Sequence, residues 1–335
     1  MNHLAIDLGG RKSYVCIRGA DGQIIHEASV DTDKLERFLR GQAKSRVVVE
    51  TCAEGFGVAD LAVTHGHEVR VVPSTLVRAL GVGARGIKTD QRDARALSVA
   101  SCRMDLPSVH VPSQYARELK AMLGMRSGLV SCRTQLLNGV RGYFRARRVR
   151  PRKGGAETFP KRVRELSEIP DFVELQLVAI DTLTAQIQAA DKKLAALAKA
   201  SDVCRRLMTV PGVGVIVSLA FVAALDDPHR FGGAHEVQSY LGLVPGENSS
   251  SDKQRTTGIT KAGNPFARWV LVQAAHQARR SRPLDPMVLW SRCVEHRRGK
   301  PNAVTALARK MVGILWAMWT KEKDYDPTLG ADVIA

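Results

Sequence analysis

Four carboxylates, Asp7, Glu50, Asp90 and Asp93, have the chemical type and the settings of a divalent-metal site. Asp7 interrupts the apolar run HLAIDLGG and Glu50 closes RVVVET, so each belongs to a strand-like segment where an unpaired charge is expensive. Asp90 and Asp93 stand three apart in KTDQRDARAL, a helix start, and an i, i+3 pair shares one helix face. Carboxylates that converge are hard oxygen donors for Mg²⁺ or Mn²⁺, and the chemistry such an ion supports on a polyanion is phosphoryl transfer. For any one acid taken alone, a surface carboxylate is the competing reading. A second set of reactive groups lies in YLGLVPGENSSSDKQRTTGITKAGN, where the serines at 249–251 precede Lys253, Arg255 and Lys261. A hydroxyl nucleophile among cations suits a phosphoryl transition state, and a plain surface loop is the alternative.

The charge distribution indicates what these groups would act on. The 335 residues carry 50 Lys and Arg against 33 Asp and Glu, a net charge of +17. The excess is concentrated: residues 117–164 hold 14 basic and 2 acidic side chains, and residues 251–310 hold 13 and 3. Two blocks of this density favour contact with a phosphate backbone over a merely solvated face. The candidate phosphate contacts are Arg141, Arg145, Arg147, Arg148, Arg150 and Lys153 in the first block, and Lys253, Arg255, Lys261 and Arg268 in the second. Tyr143 and Phe144, inside RGYFRARRVRPRK, are candidates for stacking on a base, with a place in the core left open. The six cysteines form no C-x-x-C pair, so reduced thiols are expected rather than a zinc site. No charged-then-apolar leader precedes the first strand, and MVGILWAMW is too short to span a bilayer. A cytoplasmic, nucleoid-associated protein with no membrane partner is expected.

The elements that must position these residues are legible from periodicity. Strands are predicted at 3–8, 13–18, 23–29, 46–50 and 68–72, with a GADG turn after the second and helices at 32–43, 56–66, 74–82 and 90–103. Three strands followed by alternating helix and strand is the order of an α/β RNase H-like domain, assigned to residues 1–110. Such a domain puts one acid on its first strand, one at the end of its fourth and others on a later helix. Residues 111–200 read as a connection. A basic helix at 113–148 is broken by Pro151 and the RKGG segment, and a second helix follows at 171–200. The pair forms a helical hairpin or coiled coil serving as spacer and oligomerisation arm. Residues 201–325 read as a mostly α domain with helices at 264–281, 284–298 and 302–321. The P-G-V-G at 211–214 has the look of a helix-hairpin-helix segment, although helix capping with no ligand explains it equally well.

Taken together, AIDLGG, VVVET, KTDQRDARAL, TVPGVG and the serine segment with its following RW helix resemble the DEDD-type insertion-sequence transposases of the IS110 family, which are related to pilin-gene inverting recombinases. The resemblance covers nearly the whole chain. It implies a RuvC-like N-terminal domain, a coiled-coil connection and a C-terminal domain bearing a catalytic serine. It carries the family's four acids onto Asp7, Glu50, Asp90 and Asp93, which would hold Mg²⁺ (or Mn²⁺) near a scissile phosphate. Counted five residues from Pro245, the family serine falls on Ser250, with Ser249 the runner-up; Ser250-Ser251 stands where the family often has Ser-Gly. The implied activity is DNA strand cleavage and exchange through a covalent phosphoserine. The implied partners are double-stranded DNA at donor and target, a structured guide (bridge) RNA, and further copies of the chain in a dimer or tetramer, with acids and serine on different domains. Three other readings compete. One is a RuvC-like, Mg²⁺-dependent junction nuclease that uses water. Another is an actin-like or sugar-kinase ATPase, which would need a second glycine-rich loop not found here. The third is a non-catalytic nucleic-acid binder.

Overall fold

The apolar runs of the first 72 residues become five strands of one sheet: β1 (Asn2–Asp7), β2 (Lys12–Arg18), β3 (Ile24–Asp31), β4 (Ser45–Glu50) and β5 (Glu68–Val72), in the order β3-β2-β1-β4-β5. β1, β2 and β3 pair antiparallel; β1 with β4 and β4 with β5 pair parallel. Parallel strands in the centre of a sheet need cover on both faces, and alternate side chains of β1 and β4 meet different helices. Leu4, Ile6, Val47 and Val49 share a core with Leu35 and Leu39 of α1 (Leu35–Arg40) and Val58, Ala59 and Ala62 of α2 (Gly55–Thr64). Ala5, Val48 and Val72 instead meet Val77 of α3 (Ser74–Ala79) and Leu97 and Ala100 of α4 (Asp90–Arg103). This mixed α/β sheet is consistent with the RNase H-like expectation. The helix expected at 32–43 is shorter: a 3-10 turn over Thr32–Lys34 leads into six residues of α1, which end at Gly41. These elements belong to the first of two compact units, Met1–Pro112 and Ser113–Ala335. The computed structural model describes residues 1–79, 89–166, 168–247 and 256–328.

The second unit begins with a long helical hairpin. α5 (Gln114–Ala146) has 33 residues and α7 (Asp171–Ala200) has 30, and they pack antiparallel. Leu119 and Leu123 share a core with Leu194 and Ala198 at one end, and Leu137, Val140 and Phe144 with Val173, Leu177 and Ile180 at the other. Two polar cross-pairs lie between. The Arg126 guanidinium donates to both carboxylate oxygens of Asp191 at 2.8 and 3.2 Å, and Arg133 donates from Nη1 to Thr184 Oγ1 at 3.3 Å. The two pairs are seven residues apart on each helix, the step of a heptad. The closed end of the hairpin holds α6 (Phe159–Arg164), whose Phe159 and Val163 join that end of the core. Periodicity does not reveal α6, because a single turn bearing three cations carries no amphipathic pattern.

The rest of the unit is helical, as expected for 201–325: α8 (Asp202–Leu207), α9 (Val215–Leu225), α10 (Ala234–Tyr240), α11 (Pro265–Ser281), α12 (Pro286–Arg298) and α13 (Lys300–Lys321). A short antiparallel pair, β6 (Pro245–Glu247) and β7 (Thr256–Ile259), interrupts it. α9 is apolar almost all round and is the buried centre, packed by Val270, Leu271 and Ala274 of α11 and by Leu307, Met311 and Leu315 of α13. Asn264 and Asp285 cap α11 and α12 with proline at the first helical turn, which fixes where each helix starts. No described helix is long and apolar enough to cross a membrane.

Candidate functional site

Asp7 and Glu50 end two adjacent parallel strands. Ile6 of β1 lies opposite Val49 of β4, so the next residue of each strand, Asp7 and Glu50, leaves the sheet at the same edge. Both side chains are half-buried. α4 crosses the sheet face beside them, and its direction is set by polar rungs. His3 Nδ1 and Ser101 Oγ are hydrogen-bonded at 2.7 Å; Ser98 Oγ lies 3.3 Å from Cys16 Sγ and accepts from Arg18 Nε at 2.9 Å. Arg95 grips both carboxylate oxygens of Glu27 at 2.6 Å, and this guanidinium holds the Glu27 carboxyl below the usual carboxylate range. Ser101 at the level of His3, and Ser98 at the level of Cys16, which pairs with Ala5, make α4 antiparallel to β1. From Ser101 back to Asp93 the helix covers about 12 Å, and from His3 on to Asp7 the strand covers about 13 Å. Asp93 therefore stands at the level of Asp7. It is buried, at 3% exposure, whereas Asp90 is exposed at the first position of the helix. Thr89 caps that helix by accepting from Arg92 N, and both acids lie in its first turn, where the helix dipole favours negative charge.

The donor set is entirely carboxylate, the hard oxygen chemistry that Mg²⁺ and Mn²⁺ take. In donor type the residues fit a hard divalent cation. Among the described residues, no three His, Cys, Asp or Glu side chains are gathered closely enough to form a metal cage.

In the second unit Ser249, Ser250, Lys253 and Arg255 lie outside the described residues. The strands on either side of them in sequence are described. Pro245 pairs with Ile259 and Glu247 with Thr256. Arg268 Nη1 donates to the carbonyls of Leu241 at 3.1 Å and Ala262 at 2.6 Å, so this guanidinium fastens the turn below the hairpin. Sequence reasoning had placed Arg268 among the phosphate contacts and missed this internal use. Lys261 is exposed in a left-handed turn with φ of 57°. The P-G-V-G segment has a packing reason. A Cβ on Gly212 would meet Ala274 O at 2.2 Å, so the glycine lets the chain lie against the α11 backbone. The α9 start that follows has no side-chain cap and, with Arg126, Gln277 and Arg280, lines a cavity of about 550 Å³.

The first basic block gathers at the closed end of the α5–α7 hairpin. Arg141, Arg145, Arg150 and Lys153 line a cavity of about 540 Å³ together with Arg162, which the sequence reading had not singled out. Arg147 lies over the Tyr143 ring at 3.7 Å, and Arg148 has φ of 59°. Phe144 is 3% exposed inside the hairpin core, so it does not stack on a ligand; Tyr143 is half-buried and lines a neighbouring cavity. The heptad step from Leu137 through Val140 to Phe144 is the signal that separates the two aromatic residues.

Known proteins match both units. Residues 4–146 match a transposase model of the DEDD, IS110 type, and residues 204–286 match the model described as transposase IS116/IS110/IS902 family. The transposase for insertion sequence element IS1111A of Coxiella burnetii is 29% identical over 96% of this chain and 90% of its own length. A protein named as a probable family 20 transposase of Pseudomonas aeruginosa is 29% identical over 98% of this chain and its whole length. The transposase for insertion sequence element IS1328 of Yersinia enterocolitica is 24% identical over 95% of this chain and 96% of its own. With transposase models matched in order over residues 4–146 and 204–286, and relatives aligned from end to end, the chain is similar along nearly its whole length to insertion-sequence transposases of the IS110/IS116/IS902 family.

Proposed function

We propose that this protein cuts and exchanges DNA strands at the ends of an insertion sequence through a phosphoserine ester. The observation that supports the reading is that Asp7 and Glu50 end adjacent parallel strands, with the buried Asp93 on the helix that runs antiparallel to β1, in a chain of net charge +17. Asp7, Glu50 and Asp93, with the exposed Asp90, would hold Mg²⁺ or Mn²⁺, which when bound neutralises charge on a scissile phosphate. Ser250, with Ser249 the alternative, supplies the nucleophile. Its Oγ forms a bond to phosphorus, the bond from phosphorus to a deoxyribose oxygen breaks, and that oxygen leaves with a proton in place of the one lost by the serine. The ester conserves the energy of the broken bond, so a second DNA hydroxyl can displace the serine and complete the exchange.

The partners follow from the same reading: double-stranded DNA of the donor and target, and a structured guide RNA. The α5–α7 hairpin acts as a coiled-coil spacer that joins copies into a dimer or tetramer. Support for the last point comes from Phe172, Leu175 and Val178, which stand 58%, 72% and 52% exposed along one side of α7. The protein works in the cytoplasm, on nucleoid DNA. The test is an in vitro reaction on labelled element-end DNA, with RNA co-purified from cells carrying the flanking sequence. Wild-type protein is expected to give a protein–DNA adduct that survives denaturant, Ser250→Ala none, and Ser249→Ala a normal one. Full cleavage by Ser250→Ala with no adduct in the wild type would replace the ester mechanism by hydrolysis of the RuvC-like kind.

A further inference from the structure

Two cavities lie back to back at the closed end of the α5–α7 hairpin, with Val149 lining both. The first, of about 540 Å³, is cationic. Arg162 is fixed in its wall, donating from Nε to Arg152 O and from Nη2 to Gly155 O, both at 2.9 Å. Arg141 and Arg162 both lie over the Phe159 ring, at 5.2 and 5.9 Å. Among the described residues no carboxylate pairs with Arg141, Arg145, Arg150 or Lys153. Four unneutralised cations around one hollow call for an anion, and a guanidinium fork matches phosphate.

The second cavity, of about 660 Å³, has a different chemistry. The Arg147 guanidinium lies 3.7 Å over the centre of the Tyr143 ring and donates from Nη1 to the Tyr143 carbonyl at 3.5 Å. The ring itself is braced edge-on by Phe144 and Phe172, at 5.1 and 5.2 Å. An exposed guanidinium backed by a braced ring is a planar, weakly hydrated platform on which a nucleobase stacks. Glu168 lines the same cavity and offers only acceptors, which suits the amino edge of a base. The turn that separates the cavities is a Schellman motif: Val149 N donates to Phe144 O and Arg148 N to Arg145 O, both at 3.0 Å. Glycine is favoured at its left-handed position, yet Arg148 occupies it.

We propose that the hairpin tip clamps an unpaired nucleotide, its phosphate in the cationic cavity and its base on the Tyr143–Arg147 stack. A duplex offers phosphates but keeps its bases stacked inside, so it can satisfy the first cavity and not the second. The ligand class is an unpaired segment of RNA or DNA, and the assignment rests on reading the chain as a protein that handles nucleic acid. It goes beyond that reading by assigning the Tyr143–Arg147 cavity, unlike the cationic one, to unpaired bases alone.

The test uses the full-length protein and fluorescence anisotropy with three probes: short oligouridine, short oligothymidine, and a blunt DNA duplex. Arg147→Ala, on an exposed side chain, is expected to weaken binding of the unpaired strands at least about fivefold and that of the duplex less than twofold. Arg145→Glu is expected to weaken all three. Arg147→Ala is expected to leave the melting temperature unchanged, because the side chain is exposed, which rules out unfolding as the cause. Equal losses on duplex and single strand in Arg147→Ala, or no loss on either, would overturn the clamp. Preference for oligouridine assigns the site to RNA, preference for oligothymidine to DNA, and either order supports it. Strand exchange measured on the same preparations separates this inference from the proposed function. Discrimination without exchange keeps the clamp and removes the transposition reading, and exchange without discrimination does the reverse.

Discussion

Removing free cations from the hairpin tip should change how binding depends on salt by an amount that the structure predicts. Arg145, Arg150 and Lys153 line the cationic cavity with no carboxylate partner among the described residues. Arg164, on α6, is bound to Glu174 through Nη2 and to Asp181 through Nη1, both at 2.7 Å, and these carboxylates raise its pKa above the ordinary guanidinium value. Each phosphate neutralised contributes roughly 0.9 to the slope of log K against log salt on duplex DNA and roughly 0.7 on a single strand. Replacing Arg145, Arg150 and Lys153 together by alanine should therefore flatten the slope by about 2.7 on duplex and about 2.1 on an unpaired strand. Over a fourfold rise in salt, the variant should escape an about 40-fold loss of duplex affinity that the wild type suffers. Arg164→Gln should move the slope by less than about one, because its charge is already matched. The assay is an anisotropy titration at several salt concentrations. An unchanged slope in the triple variant, or equal flattening by Arg164→Gln, would refute the assignment of this surface.

Asp93→Asn should abolish metal-dependent cleavage and leave duplex affinity within about twofold, since the acid is buried and is no part of either basic block; parallel loss of binding and cleavage would count against the metal role. Gly263→Ala should lower the stability of the second unit, measured by thermal unfolding. Its φ is +68° and a Cβ would meet Tyr240 O at 2.0 Å, so at least roughly 1–2 kcal/mol is at stake from the left-handed backbone alone. Arg133→Met should raise stability, because a buried cation gives way to a packed thioether while its partner Glu157, half-exposed, is left to solvent. Arg133 is 8% exposed and its Nε has no partner in the structure. A lower melting temperature in that variant would mean that its bonds to Thr184 and Glu157 outweigh the desolvation of the charge.

The strands and long helices were legible because each obeys one period. β1 and β4 are apolar on both faces, which fits their burial between two helical layers, and α5 and α7 keep a 3–4 spacing throughout. The acids at strand ends were legible because a charge stops an apolar run. That Asp93 reaches the level of Asp7 was not, because this follows from where α4 lies, and α4 is held by Ser98, Ser101 and Arg95, polar residues that read as a solvent face. Asp90 and Asp93 differ in exposure for a local reason: Asp90 is the first helical residue, at the exposed end, and Asp93 is one turn further in. Charge counting located both basic blocks but could not say which cations are engaged internally. Arg268 holds two carbonyls, and Arg279 is bonded to Ser291 Oγ and Glu295.

That internal engagement matters for function, because a guanidinium bonded to a carboxylate is neutralised whereas one bonded to a carbonyl is held in place and remains a cation. Arg18 donates to Gly22 O, Arg162 to the carbonyls of Arg152 and Gly155, Arg230 to Leu225 O, and Arg268 to those of Leu241 and Ala262. Each such bond orders a long side chain without lowering the net charge of +17. The self-repulsion of so basic a chain works against the compact state. The same arrangement lowers the entropy lost when a polyanion binds, since an immobilised rotamer-rich side chain otherwise costs about 0.5–1.5 kcal/mol. On the proposed function, a fold that ties arginines such as Arg162 and Arg268 to carbonyls would give up stability when alone and regain it on a phosphate backbone, so that bound nucleic acid would help to hold the two basic blocks in shape.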